Sequence, residues 1–427
     1  MEIFNRPSKM ELSELLQRGT ARNSANVEKK VTEILSKIKE GGDRSLLKLI
    51  KEIDGATFAP SELLVTREEI DKAVGSVSLE LKNAIDLAKK NISAFHNAQK
   101  RNEVRVVTQI GVECWQKALP IPRIGLYVPG GTAPLFSTVL MLALPAKIAG
   151  CKEVILCTPS NSKGEVASEV LFAAYSCGVD KIYKIGGAMA IAAMAYGTES
   201  VPKVDKIFGP GNSYVTTAKQ LVSLFDVAID MPAGPSEVMI AADVTADASF
   251  VASDLLSQAE HGVDSQVVLV TTSTTFASKV VKEVDIQLKS LPRRDIISKS
   301  LKSSPIIVVD SINEVVDIIN AYSPEHLIVA MYKPMNIVER VESAGSVFIG
   351  NYTPESAGDY ASGTNHTLPT NGWARSYSGV NLDSFTKKMT FQHITKEGLK
   401  TIGSSIELMA SAEGLEAHKR AVSLRLK

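Results

Sequence analysis

The chain has 427 residues, which is too long for one hydrophobic core, so we expect two or more domains. Its composition, 44% apolar and 22% charged, is typical of a soluble globular protein. Lys plus Arg and Asp plus Glu balance at 47 each. Because the chain lacks the positive charge that attracts phosphate backbones, we expect no nucleic-acid partner.

The sequence also argues against export and against a membrane span. The N-terminal stretch "MEIFNRPSKMELSELLQRG" is charged and lacks the apolar core of a signal peptide. The richest apolar run, Ser137 to Gly150, contains Pro145 and Lys147 and is too short to cross a bilayer. Four cysteines without CxxC spacing indicate reduced thiols in a cytoplasmic protein: Cys114, Cys151, Cys157 and Cys177.

The first hundred residues are predicted to be mostly helical. In residues 8–53 and 61–101, apolar side chains recur every three or four positions among many Lys and Glu. From residue 123 the pattern changes. Strands "RIGLYVPGG", "EVILCTPS", "KIYKIGG" and "KVDKIFGPGN" alternate with helical segments such as "GEVASEVLFAAYSCG". This alternation predicts a mainly parallel sheet.

A second α/β run follows Pro235. Strands "EVMIAAD", "QVVLVTTS", "PIIVVD", "HLIVAM" and "SVFIG" are interspersed with helices such as "INEVVDIINAY". We therefore predict an α/β protein with two Rossmann-like domains built on parallel-type sheets. The final stretch "SAEGLEAHKRAVSLRLK" is predicted to be a helix that must dock on another surface, because it cannot form a core alone.

We predict the following division of the chain. Residues 1–20 form a helical N-terminal segment. Residues 21–126 together with 236–380 form the first Rossmann-like domain, and residues 127–235 form the second. Residues 381–427 form a helical C-terminal tail.

Two stretches contain groups that metal ions bind. "SQAEHGVD" is predicted to end a helix, with Gln258 and His261 on one helical face and Gly262 as the C-cap. These side chains are either metal ligands or a capping histidine with solvated neighbours. "SAGDYASGTNHTLPT" carries Asp359 and His366 in a polar loop, which either lines a site or lies on the surface.

Other groups are ambiguous from the residues alone. His418 in the last helix is typical of a surface or interface residue. Two glycine turns, "YVPGG" (Tyr127 to Gly131) and "GPGN" (Gly209 to Asn212), follow strands and precede helices. They indicate either a nucleotide-binding site at a helix N-terminus or tight βα turns, since neither is a full GxGxxG motif.

The stretch "SPEHL" places Glu325 beside His326 where a loop becomes a strand. A carboxylate and an imidazole in this position are either surface groups or an acid–base pair. The chain contains no GxSxG, HExxH or Walker motif that would decide between them.

Seven ordered blocks resemble the histidinol dehydrogenases, from about Gly19 to Arg425. They are "GLYVPGGTAPLFSTVLMLALPAKIAGC", "FGPGNSYVTTAK", "MPAGPSEVMIAAD", "LLSQAEHGVDSQ", "SPEHL", "SAGDYASGTNHTLPT" and "AEGLEAHKRAVSLR". The resemblance implies NAD-dependent oxidation of L-histidinol, through L-histidinaldehyde, to L-histidine in histidine biosynthesis. It also implies one zinc ion per subunit and a homodimer.

The resemblance assigns roles to individual residues of this chain. Glu325 and His326 match the catalytic acid–base pair. Metal ligands are matched by Gln258, His261, Asp359 and His418. Substrate contacts are matched by these four, by His326, and by Ser236, His366 and Glu413.

The resemblance also places NAD on the second Rossmann-like domain, where Tyr127 and Asn212 match NAD contacts. One block departs from the family pattern, because Met189 stands where the family usually has glutamine. There a thioether replaces a hydrogen-bonding amide. The metal and catalytic groups fall in the first Rossmann-like domain, and residues 381–427 become a dimerisation tail that carries Glu413 and His418 to the partner subunit.

Two other classes of function use the same groups. A zinc hydrolase would employ the same ligands, with Glu325 as the base for water, but would leave the glycine turns unexplained. A non-catalytic metal-binding module would not need the Glu325–His326 pair.

Overall fold

The computed structural model describes residues 1–18, 24–130, 134–232 and 234–427. Gly19, residues 20 and 21 at a predicted domain boundary, and Gly131 of the first glycine turn lie outside the described residues. The helical part before residue 100 follows a short strand. Its elements are β1 (Glu2–Asn5), α1 (Lys9–Leu15), α2 (Ser24–Ile53), α3 (Arg67–Ser76) and α4 (Leu79–Ala98).

A β-hairpin leads into the first α/β unit. The elements in chain order are β2 (Val104–Gln109), β3 (Val112–Pro120), β4 (Arg123–Tyr127), α5 (Phe136–Ala149), β5 (Glu153–Thr158), α6 (Ser168–Ser176), β6 (Lys181–Lys184), α7 (Gly187–Tyr196), β7 (Lys206–Phe208), α8 (Ser213–Ser223) and β8 (Ala228–Ile229). Strands β4 to β8 form a parallel five-stranded sheet in the order β6-β5-β4-β7-β8.

The second α/β unit has the same style. Its elements are β9 (Glu237–Ala242), α9 (Ala248–Ala259), β10 (Gln266–Thr271), α10 (Thr274–Leu288), α11 (Arg294–Ser300), β11 (Pro305–Val308), α12 (Ile312–Tyr322), β12 (His326–Ala330), α13 (Met335–Val338), β13 (Ser346–Ile349) and α14 (Glu355–Tyr360). Its parallel six-stranded sheet has the order β1-β11-β10-β9-β12-β13. The prediction of two parallel α/β units is confirmed.

The C-terminal region begins with a strand that the sequence analysis missed. β14 (Thr386–Ile394) pairs antiparallel with β3, and β3 pairs with β2, in a separate three-stranded sheet. Helices α15 (Lys396–Ala412) and α16 (Glu416–Leu426) follow and pack on each other. The charged, mostly exposed strand "TKKMTFQHI" lacks clean alternation of apolar and polar residues, so it does not show the period-2 pattern of a strand.

Helices α2, α3 and α4 share their core with the five-stranded sheet. α2 packs on one face of this sheet with α7 and α8, and α3 and α4 pack on the other face with α6 and α5. The expected grouping of residues 21–126 with residues 236–380 therefore differs from the observed packing. Helical periodicity shows that a face is apolar, but does not show which sheet will cover it.

The N-terminal segment contains the predicted helix, α1, but begins with a strand that was not predicted. β1 adds to the six-stranded sheet at its edge, where Glu2 to Asn5 pair with Pro305 to Val308. Four residues are too few to carry a readable period, and the pairing depends on an edge that forms only in the folded protein. Of the helices in the described part of the chain, none combines the length and apolarity that a bilayer crossing requires.

The GPGN turn is held by buried polar contacts. The Lys219 ammonium lies 2.5 Å from Asp230 Oδ1 and donates to the carbonyl of Gly209 at 2.7 Å. The Gly209 N–H donates to Asp230 Oδ2 at 2.9 Å. Gly209 has φ of 131° and lies against the carbonyl of Tyr127 at the end of β4. In this structure Asp230 therefore secures a tight βα turn.

We expect Gly209→Ala to lower the melting temperature more than Gly55→Ala does. Both positions have positive φ, but a methyl group at Gly209 would overlap the Tyr127 backbone, whereas Gly55 has nothing within 4 Å. A strained backbone position costs about 1–3 kcal/mol before any overlap is added. Thermal melting of both variants measures this difference, and equal melting temperatures would contradict the steric argument.

Candidate functional site

Glu325 and His326 lie at the amino end of β12, and both are buried. The neighbouring strands fix the backbone there. The Gly345 N–H donates to the carbonyl of Pro324, and the Ser346 N–H donates to that of Glu325, both at 2.9 Å. The Glu325–His326 pair is therefore not a pair of surface groups.

The backbone of Glu237, the first residue of β9, contacts both members of the pair. Its N–H donates to Glu325 Oε2 at 2.9 Å, and its carbonyl lies 3.3 Å from His326 Nδ1. These contacts follow from the parallel register in which His326 pairs with Val238. Main-chain groups of the central strand β9 thus orient the side chains of Glu325 and His326.

Three carboxylates surround the His326 ring. Nδ1 lies 3.6 Å from Glu325 Oε2 and 3.7 Å from Glu355 Oε1, and Nε2 lies 3.7 Å from Asp359 Oδ1. Burial by itself lowers the pKa of His326, but Glu355 and Glu325 outweigh it and hold that pKa well above its usual range. Burial, reinforced by the neighbouring carboxylates, raises the pKa of Glu355 to about 8. The cluster carries more negative than positive charge, which favours an added cation.

One group of side chains has the spacing that a metal ion requires. His261, Glu355 and Asp359 each offer a ligand atom, and these atoms lie within 4.8 Å of one another. Gln258 is fully buried beside them. In the orientation that satisfies its amide, the nitrogen donates to Glu355 and the oxygen accepts from the Glu237 N–H at 2.9 Å. Imidazole, carboxylate and amide oxygen suit a divalent cation.

The C-terminal end of helix α9 differs from the prediction. α9 ends at Ala259 with Glu260 as its C-cap, so His261 lies beyond the helix and Gly262 is not the capping residue. Gln258 and His261 approach each other through the turn after the helix, in which the His261 N–H donates to the Gln258 carbonyl at 3.2 Å.

The tail residues are not part of this group within one chain. His418 lies on α16 and Glu413 is the C-cap of α15, and both are exposed. The structure therefore brings together Gln258, His261, Glu325, His326 and Asp359, but leaves these two apart from them.

His366 connects the polar cluster to the other sheet. Its Nδ1 lies 2.9 Å from the carbonyl of Asp359, and its Nε2 lies 3.2 Å from Thr138 Oγ1 on α5. The neighbouring Asn365 amide donates to the carbonyl of Met141, also on α5, at 2.6 Å. Burial lowers the pKa of His366, which favours the neutral ring.

A cavity of about 1230 Å³ opens at the carboxyl ends of β4, β5, β6 and β7, and Tyr127, Met189 and Asn212 all line it. The Tyr127 hydroxyl accepts a hydrogen bond from the Gly187 N–H at 3.1 Å, and burial raises its pKa to about 12. The Asn212 side chain caps α8 by accepting from the N–H groups of Tyr214 and Val215. This edge of a parallel sheet is where extended ligands such as dinucleotides bind.

A family model described as histidinol dehydrogenase matches residues 17–426. The chain belongs to the histidinol dehydrogenase family. A histidinol dehydrogenase of Bacteroides thetaiotaomicron is 58% identical over 426 residues, covering 100% of this chain and 99% of the relative. One from Vibrio vulnificus is 51% identical, with 99% and 97% covered. The chain is thus a member of an oxidoreductase family.

Solved structures agree with this assignment. The crystal structure of histidinol dehydrogenase from Elizabethkingia anophelis has a TM-score of 0.96 and 51% identity, and covers 100% of this chain and 98% of that one. An acetylating aldehyde dehydrogenase from Geobacillus thermoglucosidasius has a TM-score of 0.50 at 12% identity, covering 87% of this chain and 98% of that one. That second likeness concerns the fold alone.

Glu355 is the site residue that the sequence analysis missed. It begins α14, four residues before Asp359, so the helix places both carboxylates on one face. The four-residue spacing of Glu355 and Asp359 was the only sign of this in the sequence. The stretch "PESAGDY" does not by itself show that it forms a helix or that Glu355 faces His261.

We expect Glu355→Gln to weaken divalent-cation binding by about 10- to 100-fold, the usual effect of losing a group beside a metal site. The substitution keeps the size of the side chain and removes the carboxyl group that would become a charged carboxylate beside a bound cation. Calorimetric titration of the metal-free protein with Zn²⁺ measures the affinity, and Glu342→Gln, at an exposed glutamate, is the control. Equal affinities for the two variants would contradict a role for Glu355 in cation binding.

Proposed function

We propose that this chain catalyses the zinc- and NAD-dependent four-electron oxidation of L-histidinol, through L-histidinaldehyde, to L-histidine. The observation that carries the proposal is the buried Glu325–His326 pair, whose His326 ring lies 3.7 Å from Asp359. Asp359 also belongs to the set of possible metal ligands that contains His261 and Glu355. The cavity at the carboxyl edge of the five-stranded sheet supplies room for the dinucleotide.

The excess of negative charge around His326 fits a zinc ion. Gln258, His261, Asp359 and the partner subunit's His418 would hold it. When bound, zinc would orient the amine and imidazole nitrogens of the substrate and hold the aldehyde between the two oxidations. Ser236, His366 and the partner subunit's Glu413 would complete the substrate contacts.

His326 would act as the base in both hydride steps. Oxidation of the alcohol requires that the hydroxyl proton leaves as hydride moves from carbon to NAD⁺, and a positioned imidazole accelerates such a step by about 10²–10⁴-fold. The carboxylates raise the pKa of His326, so it becomes an effective base once their charge is offset. Its place between β9 and β13 keeps the ring oriented.

Glu325 would activate water for the second oxidation. An aldehyde has no hydroxyl proton to lose, so water must add to form a gem-diol before hydride transfer. The Glu325 carboxylate is held by the Glu237 N–H beside His326, where it can accept the water proton. Adjacent acid–base groups therefore suit two successive oxidations in one site.

On the cofactor side, Tyr127, Met189 and Asn212 would contact NAD, since all three line the cavity. A zinc hydrolase with the same metal ligands would leave this cavity without a role. Membership of an oxidoreductase family also disfavours it.

A homodimer is supported by apolar side chains exposed on the tail and on the β2–β3 hairpin. They are Leu408, Met409, Leu415, Leu424, Val104, Val106, Val107 and Ile110. Apolar surface of this extent is usually covered by a partner. Because Glu413 and His418 lie on the same tail, a two-fold dimer would deliver both to the partner's site.

We expect the protein to yield two NADH per histidinol, with little free aldehyde, and to lose turnover when a chelator removes the metal. Glu325→Gln should yield closer to one NADH, with aldehyde accumulating, because only the second oxidation needs activated water. His326→Ala should slow both steps. NADH absorbance with product analysis measures these yields, and a wild-type yield of one would refute four-electron oxidation.

We also expect His326→Ala and His418→Ala subunits to complement each other. If the tail acts in the partner's site, each mixed dimer has one site with both histidines. Random mixing makes about half of the dimers mixed, so about a quarter of all sites should work. In heterodimers purified through two different tags, about half of the sites should work, and their activity provides the measurement. Activity that stays at the level of the single variants would exclude a shared site.

A further inference from the structure

Arg18 forms a largely buried two-point ion pair with Glu237. Its Nε lies 2.5 Å from Glu237 Oε2 and its Nη2 lies 2.9 Å from Oε1. The two side chains are 19% and 3% exposed, so the pair is shielded from water. Two parallel bonds of this kind set both position and orientation, which a single contact does not.

The same guanidinium also holds the loop that leads to the Glu325–His326 pair. Nη2 donates to the carbonyl of Tyr322 at 2.8 Å, and the guanidinium carbon lies 3.8 Å from the centre of the Tyr322 ring. The Tyr322 hydroxyl in turn lies 3.2 Å from Glu237 Oε2. Arg18 and Tyr322 therefore close a ring of contacts around one carboxylate.

The loop needs such support, because Ser323 has a φ of 55°, a left-handed conformation that is unfavourable for a non-glycine residue. Arg375 Nε donates to Ser323 Oγ at 3.0 Å, so a second arginine contacts the same turn. Glu325 follows only two residues later.

Glu237 links these contacts to the acid–base pair. Its side chain is held by Arg18, while its backbone N–H and carbonyl contact Glu325 and His326. A displacement of Glu237 would move the partners of both side chains together. Misplacement of catalytic groups by about 1 Å costs on the order of 10²-fold in rate.

We propose that Arg18 is a positioning residue for the Glu325–His326 pair, acting through the Glu237 side chain and the Tyr322–Ser323 backbone. Arg18 lies at the end of the N-terminal segment, 219 positions before Glu237, and has no place in the proposed chemistry itself. The kinetic part of this inference rests on the proposed function, whereas the structural part does not.

Hydrogen exchange of the full-length protein tests the structural part without any substrate. Arg18→Ala should speed exchange in peptides that span residues 235–240 and 320–327 far more than in other peptides. The melting temperature should also fall, because the buried Glu237 carboxylate loses its partner. Arg6→Ala is the matched control, because Arg6 lies in the same segment and forms an exposed pair with Asp310. Unchanged exchange in both peptides would overturn the proposal, as would an equal loss of protection in every peptide.

Kinetics test whether Arg18 acts through Glu237. Arg18→Ala should lower kcat by about 10- to 100-fold with little change in KM for histidinol, because Arg18 would orient the pair without touching substrate. Arg18→Lys should recover only part of the rate, since an ammonium cannot make the two-point contact. Arg18→Ala combined with Glu237→Gln should lose much less than the product of the two single losses.

Each outcome has a defined meaning. Multiplicative losses, full recovery by Arg18→Lys, or a kcat equal to that of Arg6→Ala would overturn the positioning role. A wild-type protein that does not oxidise histidinol would refute the proposed function instead, and the exchange experiment would still decide the structural part.

Discussion

The parallel pairing of β9 with β12 is the contact on which the site depends. It sets His326 opposite Val238, so the backbone of Glu237 lies beside both Glu325 and His326. A shift of one residue would turn every side chain of β12 to the other face and separate the pair from Glu237. The strands also anchor the turn after α9 and the start of α14, which bring Gln258, His261, Glu355 and Asp359 to the same end of the sheet.

The two α/β units use opposite ends of their strands. The polar cluster forms at the amino ends of β9 and β12, whereas the large cavity forms at the carboxyl ends of β4 to β7. His366 and Asn365 join the two by contacting α5, the helix that follows β4. Because α5 is buried along most of its length, this contact ties the cluster to a rigid part of the other unit.

The buried cysteines do not suit covalent aldehyde chemistry. Burial raises the pKa of Cys151 and of Cys177 to about 11, and it raises that of Cys157 further. A thiol is nucleophilic only as thiolate, so these three side chains are inert near neutral pH. The likeness to an acetylating aldehyde dehydrogenase thus stays one of fold. In the proposed reaction, the Glu325–His326 pair and the bound cation would supply a route that needs no thiol.

The sequence by itself determined the two α/β units, the glycine turns and the position of the Glu325–His326 pair. Each of these is encoded locally, by periodicity, by turn residues or by a short motif. Family blocks also identified Gln258, His261 and Asp359, which the structure brings close together with Glu355.

Tertiary structure alone decided which sheet α2 to α4 cover, that β1 completes the other sheet, and that Glu355 faces His261. It also brought Arg18 to Glu237 across 219 positions. Such contacts depend on which surfaces meet when the chain folds. Side-chain periodicity records only that a residue will be buried, not the partner that will bury it.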